Sequence, residues 1–166
     1  LKNKLQDSSF HYPLDKNLKQ IVLADLRMNY FHAIETFFEI FFALLPSKNK
    51  AIPDNIKILE RLSKSNFTSN YNRIKSIATG KDKLTYLKDS VPWSTGEVTS
   101  VTHYLFYFGL VTDFDDFQEK AKNSEEGIKN AIIALAKDFS DRREYNCFKH
   151  GLRVFRNMTK IRIIDQ

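Results

Sequence analysis

The chain has 166 residues, 42% of them hydrophobic, and a formal net charge of +6. This length is typical of one domain, while five Gly and four Pro are too few for a turn-rich β protein. The single cysteine, Cys147, excludes an internal disulfide and a cysteine-based metal finger, and it favours the cytoplasm. We also expect no membrane partner, because no apolar run reaches the roughly 18 residues of a membrane span.

The first predicted helix is long enough to be a spine of a helical bundle. It follows an irregular N-terminal arm, residues 1–16, and runs from Leu18 to Leu45, where Pro46 ends it. Its length is roughly 40 Å at about 1.5 Å per residue. Beside its apolar face lies a polar strip made of His32, Glu35 and Glu39.

Two shorter helices are predicted next. Pro53 suits the first turn of a helix that runs to about Ser65. Its inward residues are expected to be Ile56, Leu59 and Leu62. The following helix covers Ser69–Ala78, and Gly80 is the expected C-terminal cap. Residues 82–88 are predicted to form a helical turn, and residues 89–96 are predicted to form a connector.

The next two helices have recognisable starts. Ser94-Thr95-Gly96-Glu97 matches a capping box and predicts a helix from Glu97 to about Val111. This segment is apolar nearly all round, so we expect it to be the most buried helix, with His103 as a hydrogen-bonded core residue. Ser124-Glu125-Glu126 predicts the start of another helix that reaches Phe139.

The last predicted helix, Asp138–Asn157, carries polar residues opposite its apolar stripe. The stripe consists of Tyr145, Phe148, Leu152 and Phe155. At about 100° per residue, Arg143, Asn146 and His150 fall on the other face. His150 is therefore expected to face solvent, a second subunit or a ligand. Residues 158–166 are predicted to form a short strand or a tail.

The run from Arg142 to Arg153 resembles the HEPN superfamily, the helical domain of many prokaryotic toxin and defence ribonucleases. The family signature is Arg, four to six residues and then His near the start of a late helix, and six residues separate Arg143 from His150. The resemblance implies an all-α, up-and-down bundle of about five to six helices in one domain. It also implies a metal-independent endoribonuclease without a cofactor, in which Arg143 and His150 act at the cleft of a homodimer.

The chemistry of RNA cleavage suits these residue types. Attack by the adjacent 2′-hydroxyl needs a proton carrier of near-neutral pKa, which His150 provides. The charge that develops on phosphorus needs a fixed cation, which Arg143 provides. Asn146 is an accessory candidate that orients the ring or binds a phosphate oxygen. The remaining cations of this helix are predicted to contact RNA or simply to solubilise the chain: Lys149, Arg153, Arg156 and Arg142.

The polar strip of the first helix is a second group of candidates. We predict that Glu35 or Glu39 holds the Arg143 guanidinium, with His32 nearby; the alternative is a solvated helix face. We predict no metal site, because helical di-metal sites use Glu-x-x-His pairs and this strip has the reverse order.

Two other functions remain open. The family often has Asn, Asp or His directly after the Arg, whereas this chain has Glu144. Glu144 therefore favours a catalytically inactive module that binds RNA or a protein. The other alternative is a helical scaffold with no nucleic-acid role. An antitoxin or another protein is a further candidate partner.

Overall fold

The computed structural model describes residues 16–92, 98–107 and 117–141. Within these ranges the chain is mainly helical, and its elements are α1 (Lys16–Leu44), α2 (Asn55–Ser63), α3 (Phe67–Ala78), β1 (Ser90–Pro92), β2 (Val98–Ser100), α4 (Val101–Tyr107) and α5 (Phe117–Ser140). A 3-10 turn at Thr85–Lys88 matches the helical turn expected there. The predicted all-α helical bundle is confirmed, with one small antiparallel hairpin added to it.

Helices α1, α3 and α5 enclose the core. Phe38 in the middle of α1 is fully buried, and its ring meets those of Phe37, Phe41 and Phe42. The ring of Phe139 on α5 lies 6.4 Å from that of Phe31 on α1 and 6.5 Å from that of Tyr71 on α3. Because aromatic side chains bury large areas, these contacts fix the three helices against each other.

The signals for helix ends were partly correct. Leu44 is the last residue of α1, as the proline at position 46 predicts, and Gly80 follows α3 with φ +72°. Helix α2 starts later than predicted, because the Asp54 side chain accepts a hydrogen bond from the Lys57 backbone N–H and caps it. Pro53 therefore precedes the cap and is not in the first turn. Asn66 caps α3 in the same way, so that helix begins at Phe67, earlier than predicted.

The prediction that Ile56, Leu59 and Leu62 face inward is wrong for the first two. Ile56 is 80% exposed and Leu59 is 66% exposed, while Leu62 is half-buried. The reason is the rotation of α2 about its axis. Arg61 points toward α1 and hydrogen-bonds its last carbonyl groups, so the positions about 140° to 160° away from Arg61 face solvent.

The predicted helix start at Glu97 is also wrong. Residues 98–100 form β2, which pairs with β1 so that Val98 lies opposite Pro92. Helix α4 begins at Val101, and the Ser100 hydroxyl accepts a hydrogen bond from the His103 backbone N–H in the manner of an N-cap. Val98 is therefore exposed on the hairpin instead of buried in a helix.

Helix α4 buries one side against the bundle. Thr102 is fully buried and donates a 2.9 Å hydrogen bond to the Leu87 carbonyl. His103 is half-buried and its ring contacts those of Tyr107 and Phe117, so it is not the core residue expected.

Helix α5 begins at Phe117, seven residues before the predicted start at Ser124. Ser124 is instead inside the helix, where its hydroxyl donates a 2.7 Å hydrogen bond to the Ala121 carbonyl. Ile132 and Ala136 are buried, as predicted. The N-terminal arm before Lys16, the predicted helix beyond residue 141 and the tail at 158–166 lie outside the described residues.

Candidate functional site

A groove with basic walls lies between the C-terminal end of α1, helix α2 and the first half of α3. Its volume is about 650 Å3. Five basic and two acidic side chains line it: Lys48, Lys57, Arg61, Lys64, Arg73, Glu39 and Glu60. The lining is therefore positively charged, and its cations come from three separate parts of the chain.

Arg61 is held in the groove by the end of α1. One terminal nitrogen donates hydrogen bonds to the carbonyl oxygens of Ala43 and Leu45, at 2.8 and 2.5 Å. The last carbonyl groups of a helix lack partners within the helix and carry the negative end of its dipole. The last turn of α1 has no basic residue of its own, so Arg61 from α2 supplies that charge.

Arg73 is held by an aromatic ring. Its guanidinium carbon lies 3.7 Å from the centre of the Phe42 ring, a cation–π contact. Removal from water lowers the pKa of Arg73, the nearby Tyr86 and Asp82 raise it, and the positive charge of Arg61 lowers it further. Arginine stays protonated at neutral pH despite such shifts.

Arg61 and Arg73 thus repel each other electrostatically. The groups that contact them, backbone carbonyls for Arg61 and the Phe42 ring for Arg73, are neutral. Among the described residues neither forms an ion pair with a carboxylate. Their guanidinium groups retain donors that these contacts do not use, since each group has five N–H bonds. A bound anion would offset their mutual repulsion and accept those hydrogen bonds.

Two lysines on the outer wall share one carboxylate. Glu60 accepts hydrogen bonds from Lys57 at 2.7 Å and from Lys64 at 2.6 Å. These bonds and the two positive charges lower the pKa of Glu60 to about 2. Glu60 therefore stays ionised in this setting and cancels part of the lysine charge that the groove would otherwise present.

Polar groups at the start of α3 complete the groove. Asn66, Ser69 and Asn70 line it, and the Asn66 side chain accepts a 2.8 Å hydrogen bond from the Ser69 N–H. Asn70 donates a 2.8 Å hydrogen bond to the Ser65 hydroxyl. The described lining contains no His and no Cys. The positively charged and amide side chains of the lining are suited to binding an anion.

The structure places only the α1 candidates among the site residues predicted from sequence. Glu39 is half-buried in the groove wall, and His32 and Glu35 lie one to two turns earlier on α1. The predicted RNA-cleaving and RNA-contacting residues lie outside the described residues; they are Arg142, Arg143, Asn146, Lys149, His150, Arg153 and Arg156. The predicted pairing of Glu35 or Glu39 with Arg143 therefore also lies outside them.

Sequence reasoning missed Arg61 and Arg73. One signal for Arg61 was available: the last turn of α1 carries no basic residue, so its carbonyl groups need a cation from elsewhere. No local pattern singles out Arg73, because its contact with Phe42 joins residues that are 31 positions apart.

Two further features of the described ranges concern metal binding and membrane crossing. Residues 16–92, 98–107 and 117–141 hold no group of three or more His, Cys, Asp or Glu arranged to bind a metal ion. No helix within them is both long and apolar enough to cross a membrane. Comparison with protein-family models, curated proteins and solved structures finds no match to this chain.

Proposed function

We propose that this chain binds single-stranded RNA and cleaves it as a metal-independent endoribonuclease of the HEPN type. The observation that carries the RNA-binding part is the pair Arg61 and Arg73, two guanidinium groups held in a basic groove by neutral contacts. The helical class of the described residues agrees with the bundle that the family resemblance implies.

In this proposal, one part of the chain binds the RNA and another part cleaves it. The groove holds phosphate groups and so fixes the position of the strand, which is the role of most phosphate contacts in nucleic-acid complexes. Cleavage is assigned to Arg143 and His150, with Asn146 as accessory, on their sequence spacing alone. His150 moves protons between the 2′-hydroxyl and the leaving oxygen, and Arg143 stabilises the charge on the phosphate.

The oligomeric state, the cellular location and the biological role are part of the same proposal. A homodimer is proposed because the Arg143 and His150 face needs a partner surface to become a cleft. A cytoplasmic location rests on the lone cysteine. A role in toxin or defence systems, with an antitoxin or similar protein as partner, rests on the family resemblance.

A second candidate function is RNA binding without cleavage. The feature that favours it is Glu144, whose negative charge directly follows Arg143. In that case the groove would still bind RNA, and Arg143 and His150 would not cleave it.

RNA binding is tested by fluorescence anisotropy with a labelled single-stranded RNA at several salt concentrations. We expect the affinity to fall steeply with salt, with a slope of about 0.7 per phosphate neutralised. Arg73→Gln should weaken binding and flatten the slope. Lys75→Gln, which removes a cation from the same helix outside the groove lining, should not.

Equal effects of these two substitutions would contradict an RNA site in the groove. Binding that does not respond to salt would favour the helical scaffold instead.

A further inference from the structure

The first half of α1 exposes most of its large apolar side chains, whereas the second half buries most of them, although Ile40 is 47% exposed. Five of these exposed side chains, each between 47% and 64% exposed, are Leu18, Ile21, Val22, Leu23 and Leu26. From Phe31 onward one face of the same helix packs into the core, and Phe38 on that face is fully buried. The change occurs at Tyr30, so the helix extends about 20 Å beyond the part that α3 and α5 cover.

The exposed side chains form a continuous surface. Leu18, Val22 and Leu26 are spaced four residues apart and therefore lie on one side of the helix. Ile21 and Leu23 widen this stripe on its two flanks. A stripe of this size on a helix is typical of a surface that another element covers.

Helix α5 ends where this surface begins. The Tyr30 hydroxyl donates a 2.7 Å hydrogen bond to the Asp138 carboxylate, and the rings of Phe31 and Phe139 are 6.4 Å apart. Ala136, about one turn earlier on α5, is fully buried. The chain therefore passes from the covered part of the bundle to the start of the exposed half of α1, and 25 residues follow Asp141.

The sequence that follows has a matching pattern. Its apolar residues recur at helical spacing over 11 positions, a length of about 15 Å in a helix. They are Tyr145, Phe148, Leu152 and Phe155. The exposed stripe from Leu18 to Leu26 has a similar length, about 12 Å.

We propose that residues 142–157 of the same chain dock this apolar stripe along Leu18, Val22 and Leu26 of α1. The chain's own segment is favoured over a second copy because it starts beside the surface. A short tether gives an effective concentration on the order of millimolar, at least about a hundredfold above a second chain at about 10 µM. Arg143 and His150, opposite the stripe by spacing, then face away from α1. The proposal does not depend on the proposed function.

Crosslinking between engineered cysteines in the full chain tests this docking. Cys147→Ser first removes the only cysteine. Val22→Cys is then combined with Leu152→Cys or, to allow for register, with Phe148→Cys, and each variant is treated with a short bismaleimide. The matched control combines Leu152→Cys with Ile56→Cys, an equally apolar and exposed position on α2.

Mass spectrometry then distinguishes the outcomes. An intrachain crosslink in a Val22→Cys pair, well above that of the Ile56→Cys control, is the expected result. Products with the mass of two chains would overturn the proposal in favour of a second copy on α1. Crosslinking of both Val22→Cys pairs at the control level would overturn it as well.

A second measurement does not depend on cysteine placement. Leu26→Lys puts a charge on the exposed stripe without touching the core. Hydrogen exchange should then show a loss of protection in residues 145–155 while α3 keeps its protection, which also shows that the variant is folded. Unchanged exchange in residues 145–155 would overturn the proposal.

Discussion

The guanidinium group of Arg73 lies 3.7 Å above the ring of Phe42, and both residues line the basic groove. A guanidinium over the face of a ring can still donate from its edge N–H groups to an oxyanion. Lysine keeps the charge but loses this planar arrangement. The geometry of the pair, and not only its charge, should therefore contribute to RNA affinity.

We accordingly expect Arg73→Lys to weaken RNA binding about two- to fivefold, since the planar contact is worth about 0.5–1 kcal/mol at such sites. The salt dependence should stay close to that of the wild type, because the charge is retained. Anisotropy titrations measure both quantities. Lys75→Arg, on the same helix outside the groove lining, is the control and should leave affinity unchanged. If Arg73→Lys binds as tightly as the wild type, the planar contact has no role.

Arg61 should be important for stability as well as for binding. Arg61→Ala removes the donor that satisfies the carbonyl groups of Ala43 and Leu45 at the end of α1. We expect the free energy of unfolding to fall by about 1–3 kcal/mol, because removing the donor leaves these carbonyl groups without their hydrogen bonds. Urea unfolding measures the loss. Arg61→Lys, which keeps one charged donor, should lose less; an equal loss in both variants would argue against these hydrogen bonds.

Removing the Glu60 charge should strengthen RNA binding. Glu60 forms ion pairs with Lys57 and Lys64, and Glu60→Gln would leave both lysines able to bind phosphate. The slope of log affinity against log salt should steepen by up to about 1.4, or about 0.7 for each lysine. Glu119→Gln on α5 removes the same charge away from the groove and serves as the control. A slope that changes equally in both variants would mean that only net charge matters.

The Tyr30–Asp138 hydrogen bond predicts a specific pH dependence at the contact between α1 and α5. The hydrogen bond to the Asp138 carboxylate raises the pKa of Tyr30, with smaller effects of burial and of the carboxylate charge. Because the Tyr30 pKa is higher in the folded state, the contact stabilises the protein at pH values below the ordinary tyrosine pKa. This stabilisation is lost as the pH rises through the folded-state pKa.

The test is to titrate Tyr30 by absorbance, using Tyr30→Phe to subtract the other tyrosines. Asp138→Asn should move its pKa back toward the ordinary value. An identical Tyr30 titration in the wild type and Asp138→Asn would show that the hydrogen bond does not form in solution.

Sequence patterns correctly predicted the features of this fold that depend on local chemistry. Pro46 and Gly80 marked helix ends correctly, because proline cannot donate a backbone hydrogen bond and glycine tolerates the φ of +72° found at Gly80. The helical class followed from apolar spacing. Boundaries were less accurate where one capping residue competed with another, as at Asp54 and Ser100.

The errors came from contacts between distant residues. Apolar spacing in α2 identified an amphipathic helix, but Arg61 and the end of α1 decided which side faces inward. The strand at 98–100 exists through its pairing with 90–92, which a capping-box pattern cannot reveal. The groove was missed for the same reason, since Arg61 and Arg73 are on different helices. Glu39 was singled out because the polar strip of α1 is a local pattern.

Cleavage of a labelled single-stranded RNA in the presence of EDTA tests the central claim most directly. The account predicts fragments that end in a 2′,3′-cyclic phosphate, because the attacking group is the adjacent 2′-hydroxyl. It also predicts that His150→Ala lowers the rate by at least about 100-fold, as expected for loss of a general acid or base, while His11→Gln in the arm does not. RNA left intact by the wild-type protein, or cleaved equally by His150→Ala, would contradict it.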